Sequence, residues 1–456
     1  MKRERGDDVF KFADRYFIAG ANAAGRYHPT LGRPLYAAHA DGAHIYDVDG
    51  NRFIDYFNSA GASLLGYNHP AIRAGIERAL DMGFFCNLES EYHSKLAQHV
   101  CEMVPSAKRV RFNNSGTEAT MAAVRLARAV TRRSKILKFE GHFHGMHDYV
   151  FFNAHSALGP ELPGGEIGLV HDSGGVPDAL DALIVVIPFN DHEAFTNCMR
   201  RHKGEFAAVI MEPVMYNAGC ILPNKDFVQH VRDQTAEDGT ILIFDEVLSG
   251  FRMCPGGGQE WLGITPDLTC LAKALGCGMP IAAIAGKDEV MRGLNPSGPT
   301  VVSGTYTGHL IEIMGALAAM EELRAPGFYD RLNALARRLY DGINEIAHRR
   351  KIKAVCQGLG ARFAIYFGLE EGPITDFRKV VAAFDQEMNR KFQRLTLEQG
   401  LYFHDYGKSL TPMHHGFTGV HTEHDIDETL MRLDDVFAEL SRTSTGSAQA
   451  TTMGGR

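Results

Sequence analysis

Four groups of residues carry the chemistry open to this sequence. Lys273 ends the mostly apolar run Asp267–Ala272 and is soon followed by glycines and a proline at Gly276–Pro280. A lysine so placed would leave a buried strand with its amine aimed into a cleft. Burial lowers the pKa of an ammonium, as a Schiff-base lysine requires. The competing reading is a surface lysine on a loop, the usual fate of a lone lysine. Asp245 ends Thr240–Phe244, where four apolar residues carry a strand inward. A buried carboxylate without a metal or arginine wants another cation, and the protonated nitrogen of a pyridine ring would serve. P-loop enzymes also end an apolar strand in Asp-Glu, but they need GxxxxGK[ST]. No such loop exists here: Gly286-Lys287-Asp288 lacks the upstream glycine and the Ser/Thr.

The third group is Arg111–Arg125, where a strand ends and Ser115-x-x-Glu118 forms a capping box opening an amphipathic helix. It reads either as a well-capped helix alone or as a phosphate site. In the second case Gly116 admits backbone amides, Thr117 adds a hydroxyl and the helix start favours an anion. The fourth is Lys138–His147, with His142, Phe143, His144 and His147 among glycines. Its histidine spacing suggests a metal site, but no acidic or cysteine partner stands nearby and the spacing alone is weak, so no metal is expected. An aromatic at 143, flanked by glycines in a strand-to-helix loop, suits stacking on a flat ring.

The elements that must position these groups alternate. Strand-like runs fall at Arg109–Phe112, Lys135–Phe139, Ala207–Met211, Thr240–Phe244, Leu268–Leu271 and Ile281–Ala285, with helical stretches such as Thr117–Arg132 and Lys225–Glu237 between them. The pattern predicts an α/β fold with a largely parallel sheet, helices on both faces, and ligands at the carboxyl ends of the strands. Ala43–Tyr56 reads as a hairpin around Asp49-Gly50-Asn51. Helical patterns at Met314–Arg324, Tyr329–Arg349 and Lys379–Glu398 surround a shorter β section. The expected division is an N-terminal segment (1–65) joining a small domain, a large domain (66–315), a small α+β domain (316–440) and a disordered tail (441–456).

Composition narrows the classes. A net charge of −8 with no dense Lys/Arg run argues against a nucleic-acid surface. The eight cysteines show no CxxC spacing and read as reduced thiols. No stretch resembles a signal peptide or approaches a membrane span, so a soluble, cytoplasmic protein is expected.

A lysine, a strand-end aspartate, a phosphate-type helix start and a stacking aromatic together fit pyridoxal 5′-phosphate. The chain resembles the class III, fold-type I aminotransferases, and within them the glutamate-1-semialdehyde aminomutase branch, over roughly residues 8–440. The motifs that carry the resemblance are Asn114–Glu118 (NSGTE), Lys138–Gly145 (KFEGHFHG), Met211–Val214 (MEPV), Phe244–Arg252 (FDEVLSGFR) and Leu271–Lys273 (LAK).

The resemblance implies a large domain with a mostly parallel, seven-stranded type of sheet and a smaller α+β domain. It implies that Lys273 forms the Schiff base with the cofactor and then moves the proton between Cα and C4′, while Asp245 pairs with the pyridine nitrogen. Phe143, where relatives usually carry Tyr, and Val247 would cover the two ring faces, with His144 beside them. Ser115, Gly116 and Thr117 would hold the phosphate, and Glu212 would support the ring-oxygen side. Thr305 matches a threonine that reaches a partner subunit's phosphate, which implies a homodimer with shared active sites. The implied reaction is ping-pong transamination between an amino donor and a carbonyl acceptor.

Three positions are expected to shape the substrate pocket. Arg26 falls where the aminomutase carries a substrate-carboxylate arginine. Ala60 replaces a tryptophan, which enlarges the pocket, and His414 or His415 stands where the aminomutase has a glutamate. These departures favour an aminotransferase acting on a larger amino acid, aromatic or β-amino. The alternatives are an aminomutase, which needs no second substrate, and an amino-acid racemase or epimerase, which consumes no keto acid.

Overall fold

Short apolar strands, each released into a polar or glycine-rich turn, build the centre of the molecule. The computed structural model describes residues 1–404, 406–407 and 409–450, with 443–450 described by backbone alone. Helix α1 (Glu4–Ala13) precedes three antiparallel strands, β1 (Ala37–Asp41), β2 (His44–Asp47) and β3 (Arg52–Asp55). β2 and β3 are the hairpin predicted over 43–56. Its turn is held by Asp47 Oδ1, which accepts from the amides of Asp49 and Asn51 at 3.0 and 2.8 Å.

The central sheet has seven strands: β4 (Arg109–Asn113), β5 (Lys135–Phe139), β6 (Ile184–Ile187), β7 (Phe206–Met211), β8 (Ile241–Glu246), β9 (Leu268–Leu271) and β10 (Ala282–Gly286). Their spatial order is β4-β10-β9-β8-β7-β5-β6. β10 runs antiparallel to both neighbours and the remaining pairings are parallel. β7 and β8 are buried at every residue, as continuous apolar runs covered on both faces must be. Helix α2 (Gly116–Thr131) lies on the sheet through Ala119, Ala122, Ala123, Leu126 and Ala127, small side chains that permit a close approach. Helix α3 (Lys225–Asp238) ends on the left-handed Gly239 (φ 73°) just before β8.

The C-terminal part carries α4 (Leu310–Leu323), α5 (Phe328–Arg350), β11 (Ala354–Leu359), β12 (Arg362–Phe367), α6 (Gln386–Glu398), β13 (Leu401–Tyr402), β14 (His415–Gly416) and α7 (Glu423–Ala450). β11, β12 and β14 form an antiparallel sheet, while β13 pairs in parallel with β3 through Leu401 and Ile54. The N-terminal hairpin is thereby joined to the C-terminal part. No helix among the described residues is long and apolar enough to cross a membrane.

Three features differ from the sequence reading. β6 was absent from the predicted strands. The helix predicted over Lys379–Glu398 is two, Phe377–Ala383 and α6, because the Asp385 carboxylate accepts from the Met388 amide at 2.9 Å and starts a new helix. The tail predicted to be disordered from 441 begins inside α7: Leu440 is buried and Ser441 Oγ donates to the Arg350 carbonyl at 2.6 Å. The rest of that tail, 451–456, lies outside the described residues.

Candidate active site

Strands β8 and β9 run parallel with Asp245 opposite Cys270, so Asp245 and Lys273 leave the sheet at the same carboxyl edge. Both line a cavity of about 350 Å³, within the range of small-ligand sites. The same cavity is lined by Ser115, Gly116, Thr117, Phe143, His144, Glu212 and Val247. Every cofactor position read from the sequence except Thr305 therefore meets at one place.

Lys273 is half-buried and holds a left-handed φ of 46°, a strained conformation for a lysine. Enclosure by protein pushes its ammonium down to about 8, against the pull of Asp245; the charges of Arg252 and Arg362 act in the same direction as burial. Asp245 is buried and has a partner that the sequence reading did not name. It lies 2.8 Å from His144 Nδ1 and accepts from the Val247 amide at 3.1 Å. These contacts fix the carboxylate while leaving it beside the cavity. His144 Nε2 has no partner among the described residues, and burial holds the imidazole below its ordinary pKa.

The anion end is built by α2. Ser115 Oγ caps the helix, accepting from the Glu118 amide at 3.2 Å. Glu118 reaches back one residue further than a capping box requires, to the Asn114 amide at 2.7 Å. A Cβ on Gly116 would lie 3.0 Å from Val247 Cγ1, so this glycine lets the helix start approach the cavity wall. Thr120, which the sequence reading missed, donates to the His144 carbonyl at 2.6 Å and ties α2 to the histidine loop. It stands one helical turn after Gly116, a spacing that could have revealed it.

Phe143 is half-buried and packs near His155 and Phe151, with centroids at 5.0 and 6.2 Å. Glu212 accepts from the amides of Phe143, Tyr216 and Asn217 at 3.0, 3.1 and 3.3 Å. Burial, reinforced by the neighbouring Asp245, pushes its acid up to about 8. The set of anion-binding helix start, apolar walls and fixed carboxylate fits a flat cationic ring bearing a phosphate, as pyridoxal 5′-phosphate is.

The other candidates lie outside this cavity. Arg26 is exposed at the end of a short 3₁₀ turn. Thr305 is exposed as well. Ala60 belongs to a turn in which Asn58, Ser59 and Ala60 all hold left-handed φ angles of 56°, 49° and 53°. Asp55 stabilises that turn, accepting from the Phe57 and Asn58 amides at 2.8 and 3.0 Å. His414 is buried, and its Nδ1 has no partner among the described residues. His309 caps α4 by accepting from the Ile311 amide at 3.2 Å.

Comparison with known proteins matches residues 27–437 to the family model "Aminotransferase class-III". Glutamate-1-semialdehyde 2,1-aminomutase of Methanocaldococcus jannaschii is 35% identical, over 96% of this chain and 99% of the relative. Among solved structures, an omega-transaminase from Sphaerobacter thermophilus superposes with a TM-score of 0.89 at 31% identity, covering 96% of this chain and 99% of that one. A beta-phenylalanine aminotransferase from Variovorax paradoxus gives 0.81 at 27% identity, with 94% of both chains covered. The fold is the fold-type I α/β architecture, and the chain belongs to the class III aminotransferase family.

Proposed function

We propose that the protein is an aminotransferase that moves an amino group from an amino acid with a bulky side chain, aromatic or β-amino, to a keto acid. Its cofactor is pyridoxal 5′-phosphate, as in the class III family. When bound, this group supplies an electrophilic aldehyde carbon and a ring that takes up the electron pair of a broken C–H bond. Lys273, with its pKa lowered by enclosure, offers an amine that can bind at the aldehyde carbon. Once freed, that amine accepts and returns a proton as general base. Asp245, fixed by His144, would hold the pyridine nitrogen charged. Ser115, Thr117 and the amides of the α2 start would bind the phosphate, and Phe143 and Val247 would sandwich the ring. Thr305 of a second copy would complete the phosphate site in a homodimer.

The observation that carries transamination over mutase chemistry is His414. An intermediate with amino groups on adjacent carbons needs an acid to hold the second ammonium. Burial and the nearby charges of Arg362 and Lys273 push the His414 imidazole well below its ordinary pKa, and a histidine in either protonation state offers no negative charge to an ammonium. Ala62 and Leu248 add apolar lining beside Lys273, and Ala60 leaves the turn that precedes Ala62 without bulk. The similarity to a beta-phenylalanine aminotransferase is consistent with that substrate class.

Substrate turnover decides the matter. Purified holoprotein is expected to turn over an aromatic or β-amino acid only when a keto acid is also present. Conversion of glutamate-1-semialdehyde with no second substrate would overturn transamination, and reaction with short aliphatic diamino acids alone would overturn the bulky donor.

A further inference from the structure

We propose that Arg362 holds the carboxylate of the amino-acid substrate, an assignment that rests on reading this site as one that takes amino acids. Arg362 opens β12 and is fully buried, with no exposed surface. Its Nε and Nη2 have no hydrogen-bond partner among the described residues, and Nη1 makes a single long contact of 3.4 Å to the Phe57 carbonyl. Nε and Nη2 form the side-on edge of the guanidinium, the geometry that grips both oxygens of a carboxylate. A buried charge with that edge unmade is costly, and a ligand that completes it removes the cost.

Among the described residues, no carboxylate is hydrogen-bonded to Arg362. Asp55 acts on Arg362 through space, but its oxygens already accept from the Phe57 and Asn58 amides and from Tyr67 Oη at 2.7 Å. His414 and His415 flank the guanidinium, and burial pushes both imidazoles well below their ordinary pKa, so neither supplies a negative charge. Arg252 is also buried, but it is committed to the turn, donating to the Leu248 carbonyl at 2.9 Å and to the Gly61 carbonyl.

The position suits a substrate attached at the Lys273 cavity. A Cβ on Gly61 would lie 2.5 Å from Arg362 Nη2 and 3.1 Å from Leu248 Cδ2. Leu248 and Ala62 line the cavity together with Lys273. The charge of Arg362 is felt at both Lys273 and His414. Gly61 thus separates the open guanidinium edge from the cavity wall. The substrate would reach that edge by displacing the turn Asn58–Gly61, whose three consecutive left-handed residues store strain that eases such movement.

The test compares an amino acid with its carboxylate-free counterpart in the first half-reaction, read from the cofactor's absorbance without any acceptor. Wild-type holoprotein is expected to react at least ten times faster with 3-aminobutyrate than with butan-2-amine. Arg362→Gln should lower that ratio at least tenfold. Arg362→Lys, which keeps the charge but loses the fork, should lower it less. If the glutamine variant fails to take up cofactor, the lysine variant carries the test, with a loss of at least threefold expected. An unchanged ratio in a cofactor-loaded variant overturns the assignment. So does a wild-type ratio near one, or a greater loss from Arg26→Gln than from Arg362→Gln. Acceptor-free turnover of glutamate-1-semialdehyde would defeat the transaminase reading yet leave this ratio intact, so the two failures are distinguishable.

Discussion

At the residue scale the site works by placing ionisable groups where water cannot reach them. Glu212 shows the consequence for pH. Its acid stays neutral in the fold up to about 8, whereas an unfolded glutamate ionises near 4.5. Its contribution to stability is therefore present below pH 4.5 and lost as pH rises towards 8. Glu212→Gln cannot titrate, so in the cofactor-free protein it should gain on the wild type across that window. Thermal midpoints measured at both ends would show it, and parallel pH profiles would contradict it. Residues at strand ends, such as Lys273 and Asp245, were legible because an apolar run points to them. Arg362 was not, because its significance lies in the absence of a partner, which only the packed structure reveals.

At the element scale the start of α2 serves two purposes that one substitution can separate. Ser115→Ala removes the cap that accepts from Glu118 and should cost about 1 kcal/mol in chemical denaturation of the cofactor-free protein. It should also weaken cofactor binding, measured by fluorescence titration. A stability loss with unchanged affinity would return Ser115 to the role of a helix cap alone. Most sheet elements were legible because buried parallel strands are continuous apolar runs; β5 and β9 match their predicted bounds residue for residue. β6 escaped because it follows the 3₁₀ turn Asp178–Leu183 without a break, so Ala182–Ile187 runs as one apolar stretch from the turn into the strand. The split at Asp385 was hidden for the opposite reason: helical periodicity resumes at once on its far side.

At the scale of the whole molecule, residues distant in sequence converge because β3 pairs with β13, and β12 pairs with β14 beside the turn Asn58–Gly61. Thr305 is exposed and lies outside the cavity of its own chain, as a residue serving a second copy would. Mixing Lys273→Ala chains with Thr305→Val chains tests that role. Each hybrid dimer should hold one site with both native residues, restoring wild-type cofactor affinity to half of its sites. Affinity no better than that of Thr305→Val alone would contradict a shared site.

The central claim is that Lys273 is the residue that carries the cofactor. Lys138 is the natural rival. It is fully buried, its ammonium is likewise pushed down to about 8, and it lies close enough to Glu212 to feel its charge. Its Nζ, however, is donated to the Phe152 carbonyl, away from the cavity that Lys273 lines. Borohydride reduction of the holoprotein, followed by proteolysis and mass spectrometry, fixes the cofactor to whichever lysine bears it. The pyridoxyl group is predicted on Lys273 alone; finding it on Lys138, or on neither, would contradict the account.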